Sequence, residues 1–144
     1  MKSKQKNNIL KYFLIFIFGG FFGWLFELIF QESDRVNSLS YMTGFNIPFL
    51  PIYGFGFILL FVLSKYYDKI KFPIMFRILF ASIIITIYEL ISGVLSNFVF
   101  GYKLWDYSEH WLNFHGYISL YMFFVWMLFL TIFEFGRMLK NKYT

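Results

Sequence analysis

The chain has 144 residues, 59% of them hydrophobic and 15% charged, with a mean hydropathy of +0.61. A soluble domain keeps about a quarter of its residues charged and just under half apolar; here the apolar residues come in blocks, which points to a membrane protein with the lipid bilayer as its surroundings. The absence of cysteine excludes disulfides and thiolate metal sites. The net charge of +5 sits beside the apolar blocks and forms no basic face, so no nucleic-acid partner is expected.

A bilayer-spanning helix needs roughly 20 mainly apolar residues, and four segments qualify: 9–30, 47–66, 74–98 and 117–138. Helices are required because an open sheet would leave backbone groups unpaired in lipid. The expected fold is all-α, a polytopic integral membrane protein with four transmembrane helices in one domain, 1–144.

The first segment follows Lys2, Lys4 and Lys6 and could pass for a signal peptide. It is long, lacks a small-x-small cleavage site and ends in Glu27, which predicts a retained anchor. Gly19 and Gly23 have the GxxxG spacing, more often a sign of packing than of binding. Gly20, Trp24 and Glu27 lie on an adjoining face, and Glu27, in "GWLFE", is near enough to the boundary to reach headgroups or water.

The second segment opens on "IPFLPIYGFG", with Pro48, Pro51, Gly54 and Gly56. One proline fits a helix's first turn, where its missing N–H has no partner anyway. Two, followed by "YGFG", predict non-regular backbone at membrane depth, which is allowed only where protein or a water-filled cavity lines it. Tyr53 would then present its hydroxyl inward.

In the third segment Ser82, Thr86, Glu89, Gly93 and Ser96 recur every three or four residues and share one face, with Ser92 and Asn97 beside it. A central acid costs about 2.5–3.5 kcal/mol on insertion scales and usually marks a pathway or a paired charge. Glu89 is therefore either an ion- or substrate-binding group or a buried hydrogen-bonding strut.

The connection "GYKLWDYSEHWLNFHGYIS" mixes Trp105, Tyr107 and Trp111 with Asp106, Ser108, Glu109, His110, Asn113 and His115. Trp and Tyr are at home at the headgroup level, and Asp106 could cap a helical turn. Asp106, His110 and His115 match no tight metal-ligand spacing, so no metal is expected. In the fourth segment Glu134 can pair with Arg137, three residues on, or with Arg77; snorkelling boundary charges account for all three.

Lys and Arg are retained on the cytoplasmic side. Eleven of them (Lys2, Lys4, Lys6, Lys11, Lys65, Lys69, Lys71, Arg77, Arg137, Lys140, Lys142) flank the N-terminus, the 65–77 connection and the C-terminus, against two (Arg35, Lys103) elsewhere. The expected arrangement is a multi-pass plasma-membrane protein with both termini cytoplasmic. Nearly every polar or helix-breaking feature then falls in the outer half, around one outward-facing polar cavity. No GxxxxGK[ST] occurs, so ATP hydrolysis by that route is absent. No nucleophile stands out, and neither catalytic residues nor a cofactor is expected.

The segments "PIYGFG" and "WDYS", the latter followed by Asn113, Gly116, Ile118 and Leu120, together with "GWLFE" and the pair Glu89 and Gly93, resemble the putative ABC-transporter type IV family, also labelled CmpB-like permeases. The resemblance covers most of the chain. Its pattern "GPxCPIYG" meets Ile47 and Leu50 at the Gly and first Cys, and "G-x-I-C-L" meets Ser119 at the second, so no role of those thiols carries over. It implies a small polytopic permease and an ATPase partner, and names no substrate.

Each half has an outward helix with an acid, an outer loop and an inward helix, consistent with a parallel two-helix repeat. Three readings follow. The first is a permease or transport component, in a homodimer because four helices enclose little volume. The second is a non-transporting accessory or scaffold protein; the third is a lipid-modifying enzyme. Candidate substrate- or ion-binding residues are Glu89, Glu27, Tyr53, Asp106, Asn113, Ser92 and Trp105, on a framework of Gly23, Trp24, Pro48, Pro51, Gly54, Gly56, Gly93 and Gly116.

Overall fold

The computed structural model describes the backbone of residues 2–30 and 49–143, and the side chains of residues 7–23, 25 and 51–139. Among them are four helices, α1 (Lys2–Phe30), α2 (Phe49–Lys69), α3 (Ile74–Phe100) and α4 (Leu120–Tyr143). A short antiparallel ladder, β1 (Asn113–Phe114) with β2 (Ile118–Ser119), lies between α3 and α4. Among the described residues the fold is all-helical apart from that ladder and the connecting turns. It divides into two compact units, Met1–Val62 and Leu63–Thr144.

Among the described residues two helices are long and apolar enough to cross a membrane, Ile74–Phe100 and Leu120–Leu139, and a shorter apolar stretch covers Asn7–Gly23. The other two expected spans, 9–30 and 47–66, run into residues outside the described set. Helical backbone extends beyond the apolar segments because polar flanks such as "KSKQKNN" continue the hydrogen-bond ladder. The last helix starts at Leu120 rather than 117 because Ile118 and Ser119 are committed to the ladder.

In the first unit, α1 and α2 run antiparallel with their glycines against aromatic rings. A Cβ on Gly19 would strike the base of Phe57, one on Gly23 the base of Tyr53, and one on Gly54 the Phe16 carbonyl oxygen at 2.8 Å. Tyr12 meets Phe61 edge-on at 6.0 Å between ring centres, and Phe16 meets Phe55 at 5.0 Å. The GxxxG pair thus serves close packing. The expected irregular backbone in α2 is not found. Pro51 occupies the first turn, where no N–H is missed, and the helix runs unbroken through Gly54 and the buried Gly56. Pro48 lies outside the described residues.

These contacts give a direct expectation for Gly23→Ala. Alanine gains about 1 kcal/mol in helix propensity, but the new methyl meets the Cβ and Cγ of Tyr53, atoms fixed to the facing backbone. Relief requires the helices to separate, and overpacking of this kind costs about 1–3 kcal/mol. The variant should unfold at a lower temperature in detergent.

In the second unit, α2 ends in a Schellman motif: Phe72 N–H donates to Tyr67 C=O at 3.0 Å and Lys71 N–H to Asp68 C=O at 3.2 Å. Lys71 takes the left-handed position (φ 52°). Pro73, extended, precedes α3, which Gly101 ends at φ 76° by donating its N–H to Asn97 C=O. Helices α3 and α4 pack together, and β2 touches both. Ala81, Ser82, Ile85, Glu89, Gly93 and Ser96 form the buried stripe of α3. On α4, Leu130 and Glu134 are buried, while Tyr121, Phe124, Leu128, Ile132, Phe135 and Leu139 form one exposed apolar stripe.

Candidate functional site

The site is built on that buried stripe. Glu89 is 7% exposed, and both carboxylate oxygens accept hydrogen bonds: Oε1 from the Tyr107 hydroxyl at 3.0 Å and Oε2 from the Trp126 indole N–H at 3.1 Å. One donor comes from the α3–α4 connection and the other from the second turn of α4. The carboxylate therefore joins three stretches of the chain, and it turns toward protein rather than lipid. Two aimed donors suit an ionised carboxylate, which offers lone pairs on both oxygens.

The connection is folded as a cap by its own polar residues. Tyr107 N–H donates to Gly116 C=O at 2.8 Å, and Trp105 Nε1–H to Tyr117 C=O at 2.9 Å. Asn97 Nδ2 on α3 donates to the Tyr117 hydroxyl at 3.0 Å, and Leu104 is 2% exposed. Asn113 donates to the carbonyls of Ser108 and His110 and accepts from Gly116 N–H. The Asp106 carboxylate accepts from Ser108 N–H at 3.0 Å and Ser108 Oγ at 2.5 Å, with the Lys103 ammonium at 3.6 Å. Partial burial pushes the Asp106 acid up, but the Ser108 hydrogen bonds and the Lys103 charge outweigh it and hold it below the usual carboxylate range.

Two glycines let the cap close. Gly93 admits the Tyr117 ring, whose Cδ1 would be 2.8 Å from an added Cβ, with Trp105 at 3.0 Å. Gly116 has φ 73°, and a Cβ there would lie on the Asp106 carboxylate and 2.7 Å from Ser108 Oγ. Gly116→Ala combines left-handed strain with a clash against a charged group. It should loosen the cap, raising amide exchange at Tyr107 and Tyr117 by an order of magnitude or more while α3 and α4 remain helical by circular dichroism.

Of the sequence candidates, Glu89, Trp105, Asp106, Asn113 and Ser92 belong to the second unit. Trp105, Asp106 and Asn113 hold the cap over Glu89, while Ser92 pairs with Tyr88 one turn back. Tyr53 lies in the first unit with its ring against Gly23. The side chains of Glu27 and Trp24 lie outside the described residues. His110 stacks on Tyr121 at 4.9 Å and His115 meets Phe114 edge-on at 4.7 Å; among the described residues no three metal-ligating side chains gather.

Sequence reasoning left Trp126 unnamed and gave Tyr107 an interfacial role. The available signal was an indole N–H in the middle of an apolar span, which needs an acceptor when buried. The same reasoning named Arg137 and Arg77 as partners for Glu134, as found, but took all three for snorkelling boundary charges. Glu134 is 6% exposed and accepts two hydrogen bonds from Arg137 Nη1, at 2.9 and 3.1 Å. Arg77 lies 3.9 Å away, and Asp68 at the end of α2 bonds both arginines.

No curated protein and no solved structure matches the chain. A family match extends over residues 14–140, taking in α2, α3, the cap and all the described side chains of α4. On that match the chain belongs to the putative ABC-transporter type IV family.

Proposed function

We propose that the chain is a small integral membrane permease or transport component with Glu89 as its central ion- or substrate-binding group. In this reading the whole chain is one four-span domain in the plasma membrane with cytoplasmic termini. The 101–119 connection is the cap of an outward-facing polar cavity. Glu27, Tyr53, Asp106, Asn113, Ser92 and Trp105 are the further candidate binding residues, and a substrate must displace Tyr107 or Trp126 to reach Glu89. The family label supports an ATPase subunit as partner, and a homodimer would enlarge the enclosed volume. The carrying observation is a buried acid in an apolar helix, held by a donor from a separate cap.

The test is to isolate the tagged chain from its native membrane, reconstitute what accompanies it in nanodiscs and measure ATP hydrolysis. Hydrolysis with the wild type that falls at least tenfold with Glu89→Gln, at unchanged assembly and helicity, is the expected result. A preparation without nucleotide hydrolysis in either form would defeat the reading. A scaffold role is the second reading, favoured by the engagement of both Glu89 oxygens with protein donors. It predicts that Glu89→Gln lowers stability and leaves hydrolysis unchanged.

A further inference from the structure

Family membership and two apolar helices make this a membrane-associated protein. One part of the cap has no place in the Glu89 site: the tip around β1. Trp111, Leu112 and Phe114 are 78%, 59% and 55% exposed, three large apolar side chains in and just before β1. Leu112 and His115, neither of them glycine, both take left-handed backbone at φ 50°. Such a conformation is uncommon for leucine and persists where the surrounding structure enforces it.

Several polar groups of this tip are bonded within the cap. The Leu112 carbonyl accepts from Leu120 N–H at 3.2 Å and the Phe114 carbonyl from Tyr117 N–H at 3.0 Å. Asn113, whose side chain would otherwise need water, has its amide on Ser108 and His110 and its oxygen on Gly116.

The position of the tip is fixed as well. Its bond to Leu120 and the Asn113–Ser119 pairing set it level with the first turn of α4. There Tyr121 begins the exposed apolar stripe of that helix. No Asp, Glu, Lys or Arg occurs between Glu109 and Glu134. That stretch of chain carries no charge of its own from the tip into the span, the Lys103 ammonium meeting it at the His115 carbonyl, and tryptophan favours the headgroup level.

We propose that the tip formed by Trp111, Leu112 and Phe114 is a membrane-interface anchor, seated in the headgroup–acyl boundary of the leaflet next to the α4 N-terminus. It holds the cap at a fixed depth over Glu89. The proposal depends on membrane association alone, so the fate of the transport reading leaves it untouched.

Because the chain has no cysteine, Trp111→Cys and Phe114→Cys each provide a single labelling site, and Glu109→Cys serves as a solvent control. Each is labelled with an environment-sensitive nitrobenzoxadiazole and placed in phosphatidylcholine nanodiscs, one chain per disc. Labels at 111 and 114 should emit to the blue of the label at 109. Lipids with a shallow nitroxide should quench them several-fold more, and aqueous iodide several-fold less. Equal quenching of all three labels by iodide would overturn the proposal. So would nitroxide-insensitive labels that become shielded only when two chains share a disc, since the tip would then face a second copy. Agreement of 111 with 114 guards against a distortion introduced at either site.

Discussion

Replacing Glu89 by alanine should destabilise the second unit by about 2–4 kcal/mol, because each buried donor left without an acceptor costs about 1–3 kcal/mol. The donors are the Tyr107 hydroxyl and the Trp126 indole. The size of the effect alone would not show that these bonds carry it, since the change also removes side-chain volume. The cycle Glu89→Ala, Tyr107→Phe and the double variant isolates the bond from the cap. The two residues are in direct contact, so additivity should fail, with a coupling of about 1–3 kcal/mol. Reversible unfolding in mixed micelles, followed by circular dichroism, gives the four free energies. A coupling within error of zero would mean that the cap rests on its own internal bonds. Trp126→Phe should show the same coupling to Glu89 while leaving amide exchange in the cap unchanged, because its donor comes from α4.

This arrangement ties an acid in an apolar helix to a folded connection. Asn113, Asp106, Ser108 and Gly116 shape the cap, Trp105 and Tyr117 fasten it to α3 across Gly93, and Tyr107 reaches down to Glu89. Any ligand that takes an oxygen of Glu89 from Tyr107 weakens one fastening of the cap. Under the proposed transport reading, occupancy of the acid and closure of the cap would be linked by this shared hydrogen bond.

How much of this was legible in the sequence differs from element to element. The buried stripe of α3 follows from spacing alone: Ser82, Glu89, Gly93 and Ser96 were placed on one face and are all buried. Thr86 is half-buried and spends its hydroxyl on the Ser82 carbonyl at 2.9 Å, a local bond that any helix offers. The partners of Glu89 were not legible, because they stand 18 and 37 residues away and only the tertiary fold brings them near. Pro51 misled because two prolines and two glycines resemble a break. A proline in the first turn breaks nothing, and the glycine at 54 answers to the approach of Phe16. Asp68 went unnoticed because an exposed acid at a helix end has no periodicity to mark it.

Asp68 matters to the second large expectation, at the other end of the unit. Glu134→Leu should cost about 3–5 kcal/mol, the range for breaking a buried charge pair by removing one partner. Its side chain is 8% exposed and those of Arg77 and Arg137 are 15% and 23% exposed, so both guanidinium groups lose compensation where water is scarce. Asp68 bonds the same arginines with its side chain 45% exposed. Solvent screens it, and Asp68→Asn should cost about 1 kcal/mol or less. The double variant Glu134→Leu/Arg137→Leu separates a packing defect from an orphaned charge. Replacing a buried pair by apolar residues of similar volume is often close to neutral, and Arg77 keeps Asp68 and the carbonyls of Tyr67 and Phe72. It should therefore be more stable than Glu134→Leu by about 2 kcal/mol or more. If thermal unfolding instead ranks the double variant below the single one, the glutamate acts through its packing rather than its charge. The three helix ends would then be held by apolar contact, with the ions as passengers.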